Sequence, residues 1–264
     1  MKSIEFFGVS NSGKTFNKNK IKRFFVEKKT YDYKSIILNF SHQKINLSLF
    51  DYITLFYFRI LKSIFIKKLL LNIKNKNKLK KEKIFKKKKN KSRNLFYLNY
   101  KKICQRLFIK LQKNNKKFYK FTFNLIDNLE CNMEFKKLLK FWFIEEFCAY
   151  HLIKDYKDKI VLDSEGFIQR LSIYIYFSPA KKHYKIINDY LSLCPLPNQI
   201  LITKCNKNKS IIKKNNLSGK IDTKKENNIF KKIKFILNKR IRSKKININV
   251  YEINDKINFD KIEL

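Results

Sequence analysis

The sequence predicts an α/β fold in which helices cover both faces of a mostly parallel sheet of about five strands. Short apolar runs, typical of buried parallel strands, occur near residues 3–8, 35–40, 160–163, 199–204 and 246–252. Stretches with apolar residues at helical spacing lie between them. The longest such stretch is residues 45–158, where we expect a helical insertion within a single domain spanning residues 1–264.

The composition limits the class of protein. With 44% hydrophobic residues, the chain can fill a core, so a disordered chain is excluded. Five cysteines without C-x-x-C spacing and only three histidines give no zinc pattern, and we expect reduced thiols. We also expect a cytoplasmic protein, because no apolar leader and no uncharged stretch of about 20 residues is visible.

The formal charge of +41 comes from 62 basic and 21 acidic residues. Twelve of the basic residues fall in the twenty positions from Lys74 to Arg93. This segment is interpreted either as a solvated helix or loop, or as a contact to nucleic acid or an anionic membrane. Because lysine greatly outnumbers arginine, a compositional bias explains the charge as well as a polyanionic partner does.

Only four glycines occur in the chain, and two of them frame its first turn. Residues 8–15, Gly-Val-Ser-Asn-Ser-Gly-Lys-Thr, match G-x-x-x-x-G-K-[ST], the Walker A pattern of phosphate-binding loops. The match follows an apolar run and precedes a candidate helix, as this pattern requires. The alternative is a tight strand–helix turn that binds no ligand.

Each position of this loop has a chemical reason. Gly8 permits a sharp turn out of the strand, and Gly13 lets the backbone approach a phosphate oxygen. Small side chains allow successive N–H groups to converge on an anion, and this applies to Ser10, Asn11 and Ser12. Lys14 is expected on the β- and γ-phosphates of ATP, and Thr15 on Mg²⁺.

A second candidate site follows the run at residues 160–162. Asp163 ends this run, where a Walker B carboxylate would contact Mg²⁺ directly or through water. Glu165 could orient or deprotonate an acceptor hydroxyl, and Arg170, in the next helix, could reach a phosphate. The alternative is an ordinary strand–turn–helix in which Asp163 caps the helix.

The loop at residues 8–15, the segment Asp-Ser-Glu-Gly-Phe-Ile-Gln-Arg at residues 163–170 and the C-terminal layout resemble P-loop kinases of the thymidylate-kinase and deoxynucleoside-kinase type. They are similar in particular to kinase-like proteins of bacterial polysaccharide loci. The resemblance implies a three-layer P-loop NTPase fold, with Asp163 or Glu165 beside the acceptor. It also implies a lid at residues 205–220, in which Lys213 and Lys214 would face the phosphates where the family tends to present arginines.

These observations predict a Mg²⁺·ATP-dependent phosphotransferase acting on a small acceptor such as a nucleotide, nucleoside or sugar. One alternative is a nucleotide-binding basic module that acts on nucleic acid or a membrane surface without phosphotransfer. Another is a P-loop protein that binds nucleotide but no longer transfers phosphate. In the insertion, Trp142 is expected to pack in the core rather than stack on a ligand, and Glu145 and Glu146 are expected to be solvated or paired with lysines. The sequence leaves the oligomeric state open.

Overall fold

The computed structural model describes residues 2–9, 12–24, 30–71, 82–156, 159–163, 165–203, 222–243 and 248–253; for residues 24, 61–71, 82–94, 223 and 253 it describes the backbone alone. The strands of this part of the chain are β1 (Lys2–Phe7), β2 (Thr30–Tyr31), β3 (Ile160–Asp163), β4 (Gln199–Thr203) and β5 (Asn249–Ile253). The helices are α1 (Lys14–Phe24), α2 (Tyr33–Phe40), α3 (Leu49–Leu71), α4 (Glu82–Leu111), α5 (Lys116–Asp127), α6 (Met133–Ile153), α7 (Phe167–Tyr176), α8 (His183–Leu193) and α9 (Thr223–Arg242).

The five strands form one sheet in the order β2-β3-β1-β4-β5, and every pairing is parallel. Its two faces are covered differently. On one face, Ile21 of α1 packs against Ile4, Phe6 and Leu162. On the other face, Phe7 belongs to a larger core built with the helices from α2 to α9. The α/β class and the parallel five-stranded sheet are therefore confirmed, whereas the P-loop assignment stays a prediction.

One predicted strand is wrong. Residues 35–40 lie in α2, and the strand that pairs with β3 is only Thr30–Tyr31. A capping box starts α2, because the Ser35 N–H donates to the Asp32 carboxylate and the Asp32 N–H donates to the Ser35 hydroxyl. The apolar run at residues 36–38 fits either a buried strand or a buried helix, so the cap decides between them.

The strand order creates a crevice at the carboxyl edge of the sheet. β1 and β3 are neighbours, but the chain leaves β1 toward β2 and leaves β3 toward β4, on opposite sides. Open α/β sheets bind ligands at such a topological switch point. Residues 8–15 follow β1, and Asp163 ends β3, so the two candidate motifs meet at this crevice.

Candidate functional site

The turn after β1 requires both of its glycines. Gly13 has a φ of +85°, a left-handed conformation that side chains disfavour. A Cβ on Gly8 would lie 2.3 Å from Thr203 Oγ1 and 2.5 Å from Ser12 Oγ. Those two hydroxyls are hydrogen-bonded to each other at 2.6 Å, which attaches the turn to β4. Both glycines are therefore explained by the geometry of the turn.

Lys14 opens α1, and its ammonium group folds back over the turn. Its Nζ donates hydrogen bonds to the carbonyl oxygens of Gly8 at 2.8 Å and Val9 at 2.9 Å. Burial lowers the pKa of Lys14, while the more distant charges of Glu226 and Glu165 act to raise it. Among the described residues, the hydrogen-bond partners of Lys14 Nζ are carbonyl oxygens, and a cation held in this way and partly removed from water is suited to gain an anionic ligand. Thr15, the next residue, is exposed in the first turn of α1.

Glu5, in the middle of β1, is a site residue that the sequence reasoning missed. It is buried, and its Oε1 accepts the Gln169 N–H at 2.6 Å. It thereby caps the N-terminus of α7, whose own N-cap residue, Gly166, has no capping side chain. A Cβ on Gly166 would lie 2.6 Å from the Glu5 carboxyl carbon, so this glycine makes room for the carboxylate. Burial, opposed by hydrogen bonds from backbone N–H groups, raises the pKa of Glu5 to about 8.

Asp163 lies beside Glu5, because the two residues are in register on neighbouring strands. Its carboxylate is buried and accepts backbone N–H groups from Glu165 at 2.8 Å and Tyr33 at 3.4 Å. Burial raises the pKa of Asp163, and the charge of Lys18 on α1 opposes that effect. The predicted carboxylate is thus at the switch point, and it does not cap α7, since Glu5 does so.

Gln169 connects the two motifs directly. While its backbone N–H donates to Glu5, its side-chain Oε1 accepts the Gly8 N–H at 3.0 Å. One residue of α7 therefore joins the turn after β1 to the strand that carries Glu5. The sequence alone predicts no role for Gln169, because both contacts depend on the tertiary fold.

Arg170 is buried in the first turn of α7, where its guanidinium group already has partners. Its Nε donates to Glu146 Oε1 at 2.5 Å, its Cζ lies 4.6 Å from the Trp142 ring centroid, and its Nη2 is 3.9 Å from Glu165 Oε2. The prediction of a solvated or Lys-paired Glu146 is wrong, because Glu146 is 2% exposed and paired with Arg170. Trp142 is partly buried against the core, as expected, and also supports the guanidinium. Glu145 accepts a hydrogen bond from the Tyr100 hydroxyl at 2.6 Å.

The residues at the crevice fit a magnesium ion and phosphates in their chemistry. Carboxylate and hydroxyl oxygens are hard ligands, and Mg²⁺ commonly takes one or two from the protein and the rest from water and substrate phosphates. The buried Asp163 carboxylate would be stabilised by a cation. Thr15 lies about one turn before Lys18 on α1, and the charge of Lys18 already acts on Asp163. Among the described residues, no group of three or more His, Cys, Asp or Glu is placed to hold a metal ion.

Several predicted residues lie outside the described part of the chain. They are Ser10, Asn11, Lys213 and Lys214, together with the whole predicted lid at residues 205–220. In the lysine-rich segment, residues 82–93 are helical and form the first part of α4, with the backbone alone described. Residues 74–81 are outside the described part.

Comparisons with known proteins add no assignment. No protein-family model, no curated protein and no solved structure matches the chain. Within the described residues, no helix has the length and apolar character needed to cross a membrane.

Proposed function

We propose that the chain is a Mg²⁺·ATP-dependent phosphotransferase acting on the hydroxyl of a small acceptor. The observation that carries the proposal is Lys14. Its ammonium group is hydrogen-bonded to the carbonyls of Gly8 and Val9, next to a left-handed Gly13, at the switch point of a parallel sheet. That combination of glycine turn, lysine and helix N-terminus suits binding of a polyphosphate.

The residues of the chain divide the work as follows. Lys14 and the N–H groups of the first turn of α1 would bind the phosphates, and Thr15 with Asp163 would hold the metal. ATP would supply the phosphoryl group and leave as ADP, and Mg²⁺ would offset the negative charge of the phosphates. Glu165 orients the acceptor hydroxyl and receives its proton, because its side chain is 68% exposed and can reach a ligand.

Arg170 fits a positioning role in this scheme better than direct contact with a phosphate. Its Nε is engaged by Glu146, its Cζ lies over the Trp142 ring, and its Nη2 is 3.9 Å from Glu165 Oε2. It would therefore fix the acceptor carboxylate rather than neutralise a transferred group. The same buried pair explains why an acidic residue of α6 lies beneath the crevice.

The charges of the described residues favour an acceptor without phosphate. Asp163 and Glu165 lie on this side of the crevice, and Arg170 is paired with the buried Glu146 beneath it. Because Arg170 is already engaged by these carboxylates, it offers a phosphorylated acceptor no unpaired guanidinium group. Among the predicted classes, a nucleoside or a sugar therefore fits better than a nucleotide.

An acceptor screen by ATP consumption tests the proposal. Nucleosides and sugars should be assayed alongside their monophosphates, with wild type, Asp163→Asn and Glu165→Gln. We expect turnover with an unphosphorylated acceptor and a loss of about 100-fold or more in kcat for Glu165→Gln. Turnover at the wild-type rate in both Asp163→Asn and Glu165→Gln would refute the assigned roles. Nucleotide binding without turnover on any acceptor would favour the binding-module alternative.

A further inference from the structure

An exposed apolar face lies on the helical hairpin formed by α3 and α4. The two helices pack through Tyr57 and Phe96, whose ring centroids are 4.2 Å apart. Among the described side chains of residues 49–98, eight large apolar ones are exposed to solvent, of which Phe50 and Ile60 are the least exposed. We call the other six the hairpin face: Leu49, Tyr52, Ile53 and Phe56 on α3, and Leu95 and Leu98 on α4.

The spacing of these residues makes them one surface rather than scattered exceptions. The four residues of α3 follow the i, i+3, i+4, i+7 pattern of a single helical stripe. The other side of each helix is used by the core, since Leu55 on α3 and Ile103 on α4 are buried. The hairpin therefore has a core side and an apolar outer side, and contiguous exposed apolar patches commonly mark interaction sites.

The chemistry around the hairpin face is strongly basic. α4 is helical in its backbone from Glu82, so residues 86–93, six of which are Lys or Arg, lie within about 14 Å of Leu95 along the helix axis. Lys102 is exposed one turn beyond Leu98. The one acid in residues 49–56, Asp51, is buried and paired with Arg106 at 2.6 Å. Residues 86–93 contain no Asp or Glu, so the sequence next to the exposed apolar side chains carries an excess of positive charge.

This combination discriminates among occupants. A second copy of the chain would bring another formal charge of +41 against the first. Single-stranded nucleic acid would use aromatic rings for stacking, whereas four of the six residues of the hairpin face are aliphatic. An anionic lipid surface takes both components, because its head groups attract lysines and its acyl boundary accepts Leu, Ile and Phe.

We propose that the hairpin face docks on an anionic lipid bilayer, with the lysines of α4 on the phosphate head groups and the exposed side chains of α3 and α4 in the acyl boundary. The site is separate from the crevice of the sheet, and it does not depend on nucleotide binding. The proposal assigns a partner to the lysine-rich segment that the sequence left open.

Vesicle flotation with the full chain tests the proposal. The probes are vesicles of equimolar phosphatidylglycerol and phosphatidylcholine, and vesicles of phosphatidylcholine alone. The variant Phe56→Ser has a matched control in Phe235→Ser on α9, because the two side chains are 61% and 62% exposed. We expect binding to the anionic vesicles, at least about tenfold weaker binding to the neutral ones, and weakening by salt. Phe56→Ser should lower the partition about fivefold or more, and Phe235→Ser should not.

Three outcomes would overturn the proposal. The first is no binding to anionic vesicles, or equal loss in Phe56→Ser and Phe235→Ser. The second is binding to an oligouridylate RNA that Phe56→Ser weakens, which would assign the face to nucleic acid. The third is a dimer in light scattering that Phe56→Ser dissociates, which would assign the face to a second copy. Melting curves of both variants establish that a lost signal is not unfolding, since neither side chain belongs to the buried core.

Discussion

Two arginine–carboxylate pairs in different regions of the molecule have nearly the same length but different surroundings. At the crevice, Arg170 and Glu146 are joined at 2.5 Å with side-chain exposures of 7% and 2%. On the hairpin, Arg106 and Asp51 are joined at 2.6 Å, but Arg106 is 42% exposed. Asp51 also accepts hydrogen bonds from Ser48 and Asn99, whereas Glu146 Oε2 has no hydrogen-bond partner among the described residues.

The different burial and hydrogen bonding of the two pairs indicate that they serve different roles. The Asp51 pair is well satisfied and half in water, so it serves the packing of the hairpin. The Glu146 pair is buried and only partly satisfied, which makes it a poor source of stability compared with apolar residues of similar volume. Its contacts to Trp142 and Glu165 give it a different use, the positioning of a crevice carboxylate.

Breaking the two pairs should produce the largest contrast. Arg170→Met leaves the Glu146 carboxylate buried without a cation, and we expect a loss of about 3–5 kcal/mol in the free energy of unfolding. Arg106→Met should cost about 1 kcal/mol or less, because the other donors of Asp51 remain. Urea unfolding of both variants measures the difference. Equal losses would mean that the buried pair has no special cost.

A substitution at Gly166 tests the contact between β1 and α7. Gly166→Ala places a Cβ against the Glu5 carboxylate, and such overpacking should cost about 1–3 kcal/mol. In the double variant Glu5→Ala/Gly166→Ala the clash is gone, so its loss in the free energy of unfolding should be smaller than the sum of the losses of the two single variants. Strictly additive losses in urea unfolding would show that the clash is not the cause.

The pH dependence of stability distinguishes Glu5 from Asp51. The pKa of Glu5 is raised from 4.5 to about 8, so in this interval the folded state holds a proton that the unfolded state has lost. The free energy of unfolding should therefore fall as the pH rises, by up to about 1.4 kcal/mol per pH unit. Glu5→Gln should flatten this slope, leaving the parts due to Asp163 and Glu146, whose pKa values are also raised. An unchanged slope in urea titrations between about pH 5 and 8 would contradict the assignment.

Asp51 should have the opposite sign. Burial acts to raise its pKa, but hydrogen bonds from Arg106, Ser48 and Asn99 outweigh it and lower the pKa. Its contribution to stability is therefore present at neutral pH and is lost as the pH falls through its folded-state pKa. Asp51→Asn should reduce the acid sensitivity and leave the slope toward pH 8 unchanged. A change of that alkaline slope would contradict the assignment to Glu5.

The smallest effect on stability is expected on the hairpin face. Phe56→Ser removes an exposed ring, and the free energy of unfolding should change by no more than about 0.5 kcal/mol. Urea unfolding beside Phe235→Ser checks this. A loss above 2 kcal/mol for Phe56→Ser alone would mean that the ring is part of the core.

The fold could be predicted from the sequence where local signals agreed. The apolar runs before Gly8 and Asp163 identified β1 and β3, and the glycine pattern placed the turn between β1 and α1. The run at residues 36–38 was assigned wrongly because periodicity cannot separate a short buried helix from a strand, although Asp32 and Ser35 carried the capping signal. β2 has only two residues, too few for any pattern.

The candidate site was only partly predictable for a different reason. Gly8, Gly13, Lys14 and Asp163 are recognisable by spacing along the chain. Glu5 acts through Gln169 and Gly166, more than 160 positions away, and Glu146 acts through Arg170, so their roles depend on tertiary contacts. The one sequence signal for Glu5 is an acidic residue inside an apolar strand, in a chain with few acids.

The most direct test of the account is the melting temperature with Mg²⁺·ATP, for wild type, Lys14→Ala and the control Lys22→Ala. Lys22 is an exposed lysine on the same helix. At a nucleotide concentration near one hundred times Kd, we expect a rise of about 5 °C for wild type and Lys22→Ala, and little or none for Lys14→Ala. No rise in wild type, or the same rise in Lys14→Ala, would contradict the proposal that the turn after β1 binds a nucleotide.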